Sequence, residues 1–263
     1  MSAVRPKKQL GQHFLKDQQI ALKIVLAFTD YFEGEQAIEI GPGTGVLTDH
    51  LLHQADFQFV AMDVDQESVD FLHRKHPDHR DKVLLQDFLR SPISGAPGAI
   101  GIVGNFPYNI SSQIFFKVYD HIDEIALVVG MIQKEVADRI CEGPGSKVYG
   151  ILSVLLQTFY DIEYLFTVEP KVFDPPPKVR SAVIRLKRNT RQKLDCDPRL
   201  FKKVVKASFQ TRRKTLRNCL KSFGLSSNLL SREVFARRAE QLSVDEFLEL
   251  TKMIEDDGRE HAI

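Results

Sequence analysis

The sequence predicts an α/β fold, with a mainly parallel sheet first and a small helical domain last. Short apolar runs alternate with amphipathic stretches over the first two-thirds of the chain, and past Asn189 the spacing turns helical throughout. Charge marks the same boundary. From Lys178 to Lys221, sixteen Lys and Arg stand against Asp195 and Asp197, a local net of +14 within a chain whose overall charge is +1. From Ser222 onward, nine acidic residues outnumber five basic ones.

In chain order, the expected strands are 37–40, 57–62, 83–85, 100–103 and 125–132, with helical spacing at 45–54, 66–76 and 111–119 between them. Two later strands, 162–167 and 182–186, are joined through the turn EPKVFDPPPKV and are expected to pair antiparallel. The segments PRLFKKVVKASF, RRKTLRNCLKSF and VDEFLELTKMIE read as helices. A boundary near residues 188–196 thus separates a domain at 1–190 from one at 191–263.

Composition narrows the class. With 263 residues, 43% of them hydrophobic and 27% charged, the chain is an ordinary globular protein. The apolar stretch Ile125 to Ile132 is too short to span a bilayer, and MSAVRPKKQLGQHF has no apolar core of signal-peptide length. Cys141, Cys196 and Cys219 are odd in number and far apart, which points to a reducing, cytoplasmic compartment. His73, His76 and His79 recur every third residue, but Pro77 interrupts them and no Cys or carboxylate cluster completes a site. No metal is expected.

The chemistry gathers at strand ends. In AIEIGPGTGVLT a strand runs into Gly41, Gly43 and Gly45, where the backbone can turn tightly and a ligand approach closely. Val46 stands where the dinucleotide fingerprint has its third glycine. The next strand ends at Asp63, the right separation for a carboxylate that takes ribose hydroxyls, and the third ends in LLQDF with Asp87. Asn105 follows the fourth. A single Asp or Asn there is commonly a helix cap, but four such positions in register describe a nucleoside pocket.

GPGTG, the acidic end of the second strand, QDF and NFPY resemble the motifs of S-adenosylmethionine-dependent methyltransferases acting on adenine amines. KKQLGQHFL and FDPPPKVRSAVIRL narrow the likeness to the ribosomal RNA small-subunit adenine dimethyltransferase family, over residues 7 to about 187 and with a compatible basic helical tail. The resemblance implies a Rossmann-like methyltransferase sheet with S-adenosylmethionine as cofactor. It puts His13 and Leu15 beside the cofactor's methionine end with Gly41, Asp63 at the ribose, Asp87 at the adenine amine and Asn105 at the reacting centre. This chain has Asp63 where the family more often has Glu, and Phe106 where Leu or Ile is usual.

The stretch NFPY then has a chemical purpose. An adenine amine is a poor nucleophile because its lone pair is delocalised into the ring. The side-chain oxygen of Asn105 and the main-chain carbonyl of Phe106, held by Pro107, could accept its two N–H bonds and free the lone pair. Tyr108 offers a ring face to a base swung out of its stack; the alternative is that Phe106 and Tyr108 fill core. The resemblance makes Phe173 the second aromatic wall, against the reading of an apolar plug under the proline loop. Arg212, Arg213, Lys214 and Arg217 lie within two turns of an expected helix, where three could share an RNA-facing side; a solvated charged face is the alternative.

The implied activity is dimethylation of two adjacent adenosines in the 3′-terminal hairpin loop of small-subunit (16S) ribosomal RNA. The expected substrate is a pre-assembled ribosomal subunit met by a monomer, away from any membrane, in the course of subunit biogenesis. Two other readings stand beside it: a large-subunit (23S) adenine dimethyltransferase conferring antibiotic resistance, and a ribosome-assembly factor without turnover. GQHFL and the FDPPPKVRSAV loop favour the first over the large-subunit enzyme, and intact NFPY and glycine motifs argue against loss of catalysis.

Overall fold

The apolar runs become strands of one sheet because parallel strands are covered on both faces and need apolar side chains throughout. The computed structural model describes residues 4–54, 56–211 and 213–260. By contacts the chain divides into two units, one of residues up to 137 plus 161–188, the other of 138–160 plus 189–263.

The first unit opens with a two-residue strand β1 (Phe14–Leu15) and helix α1 (Gln18–Thr29). Asp17 caps α1, accepting from the Gln19 and Ile20 amides. Its buried Ala21, Ile24, Val25 and Phe28 follow helical spacing. There follow β2 (Gln36–Ile40), α2 (Thr48–Leu51), β3 (Gln58–Asp63), α3 (Gln66–Lys75) and β4 (Val83–Leu85). Next come β5 (Ile100–Asn105), α4 (Ser111–Asp120) and β6 (Ile125–Gln133), then β7 (Tyr160–Val168), β8 (Phe173–Asp174) and β9 (Ser181–Arg188). Helix α2 is a single turn, shorter than its spacing predicts, because the left-handed glycine turn occupies the residues before it.

The seven-stranded sheet has the order β4-β3-β2-β5-β6-β9-β7. β2 pairs parallel with β3 and β5, β5 parallel with β6, and β9 returns antiparallel to β6 with Met131 opposite Val183. β7 is the hydrogen-bonded neighbour of β9 at the edge. Under the sheet, Phe28 and Phe32 stack at 4.8 Å with Phe57 edge-on to both. Gly101 makes room for them, since a Cβ there would lie 2.5 Å from the tip of Phe28.

Helix α5 (Lys134–Cys141) runs across the division at residue 137, and the second unit continues with α6 (Ile151–Gln157). It then adds α7 (Pro198–Phe209), α8 (Leu216–Cys219), α9 (Ser227–Ser231) and α10 (Val244–Glu260). Asp197 caps α7 and Pro198 fills its first position. Its buried face carries Phe201, Val204, Val205 and Phe209, and Phe209 meets Phe247 at 5.7 Å and Tyr149 at 6.1 Å.

Two further features differ from the sequence expectation. Residues 138–160 join the helical unit, because the apolar α6 packs on α7. The segment RRKTLRNCLKSF is no continuous helix: among its described residues only Leu216–Cys219 is α-helical, since one turn of apolar spacing, Leu216 to Leu220, is all it has to bury. Among the described residues, no helix is long and apolar enough to cross a membrane.

Candidate active site

Strand order reverses on the two sides of β2, and such a switch point opens a crevice at the carboxyl ends of the strands. A cleft lies there, built only from residues of the first unit. Gly41 and Gly43 line it after β2, Asp63 and Val64 after β3, Asp87 and Leu89 after β4, and Asn105 to Ile110 after β5. Residues 10–14 line it from the N-terminal segment.

The glycine turn is shaped for close approach. Gly43 sits at φ +56°, and a Cβ there would lie 2.8 Å from the Phe14 ring. Beneath the turn, Glu39 is fully buried and its Oε2 accepts from Thr48 Oγ1 at 2.7 Å. Burial, with the charges of Asp63 and Asp49 nearby, pushes the Glu39 carboxyl up to about 8. Asp63 is also buried, which raises its pKa, while amide hydrogen bonds oppose the rise. Its Oδ2 accepts from Gly43 N at 3.2 Å and its Oδ1 from Asp65 N at 2.9 Å. One carboxylate thus ties the glycine turn to the end of β3.

Asp65, two residues on, caps α3 through the Glu67 amide and is 2% exposed. It also receives Lys7 Nζ and Gln12 Nε2 from the N-terminal segment. Burial would raise the Asp65 carboxyl, but the Lys7 ammonium and the Gln12 amide outweigh it and hold the pKa below the ordinary value. Lys7 is raised in turn by Asp65. The segment continues as a strap along the cleft. Asn109 Nδ2 donates to Gln9 O at 3.4 Å, and Asn105 Nδ2 to His13 O at 2.8 Å. His13 Nδ1 donates to Pro175 O at 2.7 Å, and β1 pairs antiparallel with β8, setting Leu15 opposite Phe173.

The NFPY stretch divides its labour. Asn105 has its amide nitrogen committed to a backbone carbonyl, so its oxygen is the atom left for a ligand. Phe106 is 1% exposed and anchored by its amide to Met131 O at 3.0 Å. Its ring fills a slot that Gly104 and Gly130 keep open; a Cβ on Gly130 would lie 2.4 Å from it. The ring is core, while the backbone beside Pro107 faces the cleft. Tyr108 is half-buried, its ring 5.3 Å from that of His13 and its hydroxyl 2.5 Å from Ser181 Oγ. Burial raises the Tyr108 pKa.

The cleft thus brings together His13, Gly41, Asp63, Asp87, Asn105, Phe106, Pro107 and Tyr108. Two expected site residues are not in it. Leu15 and Phe173 are buried in the core of the first unit, because their pairing across β1 and β8 turns both inward. The ring beside Tyr108 is that of His13. Sequence reasoning also passed over Lys7, Gln12 and Asp65, although Lys7 and Gln12 stand inside the quoted motif KKQLGQHFL. Of the basic residues, Arg212 lies outside the described residues; Arg213 and Lys214 are exposed in the turn before α8, and Arg217 donates to Leu230 O at 3.0 Å.

The family model for ribosomal RNA adenine dimethylase matches residues 3–256. A ribosomal RNA small subunit methyltransferase A of Parabacteroides distasonis is 54% identical over 253 residues, 95% of this chain and 94% of that protein. One of Cytophaga hutchinsonii is 53% identical over 255 residues, 97% and 99% of the two chains. Among solved structures, the chain is similar to a dimethyladenosine transferase from Plasmodium falciparum, with TM-score 0.78, 22% identity and coverage of 94% and 98%. It is also similar to the 23S rRNA methyltransferase ErmE, with TM-score 0.66, 23% identity and coverage of 91% and 99%. At these identities the two structures bear on the fold alone.

The buried carboxyl of Glu39 gives a pH-dependent outcome. With a folded pKa of about 8, above the ordinary 4.5, the native state holds a proton that the unfolded chain has already lost. Stability attributable to this group therefore falls as pH rises through that window. Glu39→Gln keeps an acceptor for Thr48 without the titration, so urea unfolding should show the variant gaining on the parent from about pH 5 to about pH 8. Parallel curves would show that Glu39 ionises as an ordinary carboxyl. The Tyr108 hydroxyl is tested separately: Tyr108→Phe orphans the buried Ser181 and should cost about 1–3 kcal/mol. Adding Ser181→Ala should recover part of that loss, and strict additivity in the cycle would deny the bond.

Proposed function

The chain belongs to the ribosomal RNA adenine dimethylase family, and we propose that it dimethylates two adjacent adenosines in the 3′-terminal hairpin loop of 16S ribosomal RNA. S-adenosylmethionine, when bound, supplies the electrophilic methyl group. The residues present fit such a cofactor: a glycine turn at Gly41 and Gly43 leaves a cradle that a Cβ would fill, and carboxylates stand at the ends of β3 and β4. Asp63 would take the ribose and Asp87 the adenine amine. The curated relatives' name supports the small-subunit substrate, and the reading places the enzyme in the cytoplasm, as a monomer acting on a pre-assembled subunit.

The observation that carries the chemistry is the commitment of Asn105 Nδ2 to the His13 carbonyl. It leaves a neutral oxygen acceptor beside the Phe106 carbonyl, on a backbone that the buried Phe106 ring holds in place. Asn105 Oδ1 and Phe106 O accept the two N–H bonds of the target amine and turn its lone pair out of the ring plane. The Tyr108 ring stacks on the extruded base. Rate enhancement comes from orientation rather than from a strong base, since the amine becomes acidic only as it is alkylated.

Methyl transfer onto small subunits from a strain lacking the modification tests the function. Incorporation into large-subunit RNA would favour the resistance-type activity, and binding without incorporation an assembly factor. Asn105→Ala should lower kcat by about 100-fold or more, as for loss of one preorganised hydrogen-bonding group, with S-adenosylhomocysteine affinity nearly unchanged. A collapse of cofactor binding in that variant would make Asn105 a binding residue first.

The basic turn before α8 is assigned to RNA phosphates. Arg213→Glu with Lys214→Glu should weaken subunit binding and flatten its log–log salt slope by about 0.9 or less per lost phosphate contact. Binding across a salt series, with a cofactor titration as control, measures this. An unaltered slope would move the RNA surface to Arg5 and Lys8, since Lys7 is already engaged by Asp65.

A further inference from the structure

We propose that Lys117 is a positioning residue that fixes the turn after β4 and thereby makes the cleft prefer an adenine to a hypoxanthine base in its cofactor. This rests on the reading that Asp87 meets the cofactor's adenine amine. Lys117 lies on α4, outside the cleft, and touches no ligand-facing group directly. Its Nζ donates to Phe88 O at 2.5 Å and to Ser91 O, and stands 4.8 Å from the centre of the Phe88 ring.

The turn it grips is tightly specified. Asp87 O accepts from Ser91 Oγ at 2.7 Å, from Ser91 N at 2.9 Å and from Arg90 N at 3.1 Å. Asp87 Oδ1 accepts from Leu89 N at 2.9 Å. The peptide joining Phe88 to Leu89 is therefore held at both ends, its N–H by the Asp87 carboxylate and its C=O by the Lys117 ammonium. Rotation of that peptide would break both bonds together. Through this one plane, Lys117 sets the direction of the Asp87 side chain and keeps Leu89 at the cleft wall while Phe88 stays buried. Burial lowers the Lys117 pKa, and the nearby Asp87 charge opposes that fall.

A fixed carboxylate distinguishes bases by chemistry. It accepts from the exocyclic amine of adenine, whereas the carbonyl at the same position of hypoxanthine offers only lone pairs and is repelled. A site built around one such hydrogen bond discriminates only while the acceptor keeps its aim.

The test is calorimetric titration of the full chain with S-adenosylhomocysteine and with its deaminated analogue, S-inosylhomocysteine. The parent should prefer the adenine ligand. Lys117→Met keeps the stem over Phe88 but removes the donors; it should lose about tenfold in affinity for the adenine ligand and little for the inosine ligand, so the preference shrinks. Lys117→Arg retains donors for both carbonyls and should restore most of it. Equal loss for both ligands, or an intact preference in Lys117→Met, would reduce Lys117 to a structural residue and overturn the proposal. If Lys117→Met does not fold, Lys117→Gln, which keeps N–H donors on a shorter, uncharged side chain, must show an intermediate preference or the proposal falls. Failure of the parent to bind either ligand would instead refute the cofactor reading on which the proposal stands.

Discussion

Two buried carboxylates, Asp63 and Asp65, set the terms for the whole cleft. A carboxylate removed from water is tolerated only where donors replace the lost hydration. Asp63 finds them in the amides of Gly43 and Asp65, and Asp65 finds them in Lys7, Gln12 and the first turn of α3. Those donors come from three separate stretches of chain: the glycine turn, the start of α3 and the N-terminal strap. Satisfying two charges therefore assembles the end of the cleft where the proposed cofactor would bind. The strap lies where it does because Asp65 needs its cation, and the glycine turn is held open because Asp63 holds one of its amides.

The opposite end of the cleft depends on a different device, apolar anchoring of polar atoms. Phe106 contributes a carbonyl to the proposed chemistry, yet its side chain is sunk in a slot between two glycines and is edge-on to Phe115 at 5.9 Å. A bulky ring in a fitted slot allows the main chain little movement. Leu or Ile at this position would fill less of the slot, and Gly104 and Gly130 are the spatial complement of the larger ring. Tyr108 is similarly fixed at its far end by Ser181, so its ring is held in place rather than free to rotate.

Strands and strand ends were legible in the sequence because parallel strands are continuous apolar runs, and the residues after them cannot avoid the crevice. Gly41, Asp63, Asp87 and Asn105 could be found from spacing alone for that reason. Leu15 and Phe173 could not be placed that way. Their burial depends on a two-residue ladder joining segments far apart in sequence, and neither segment has the length to announce a strand. The hub at Asp65 was hidden for a related reason: an Asp at the start of a helix reads as a cap, which it is, and nothing local shows that it also receives Lys7 and Gln12. Nothing in the helical spacing of residues 111–119 singles out Lys117. The segment RRKTLRNCLKSF reads as one helix, but with only Leu216 and Leu220 to bury, the chain at Arg213 and Lys214 forms a turn instead.

Under the proposed function the cleft would handle two adenine amines with two kinds of acceptor, and the difference follows from what each must do. At the cofactor's base, binding is the aim, and a charged carboxylate at Asp87 gives the stronger hydrogen bond to an amine that never reacts. At the target base, strong attraction in the ground state would lower KM without raising kcat. Asn105 Oδ1 and the Phe106 carbonyl are neutral and do not titrate. They would bind the planar amine weakly and gain most when its nitrogen becomes pyramidal and its hydrogens more positive. The same base could then be held firmly in one half of the cleft and activated in the other, because the protein presents charge to the first and only oriented dipoles to the second.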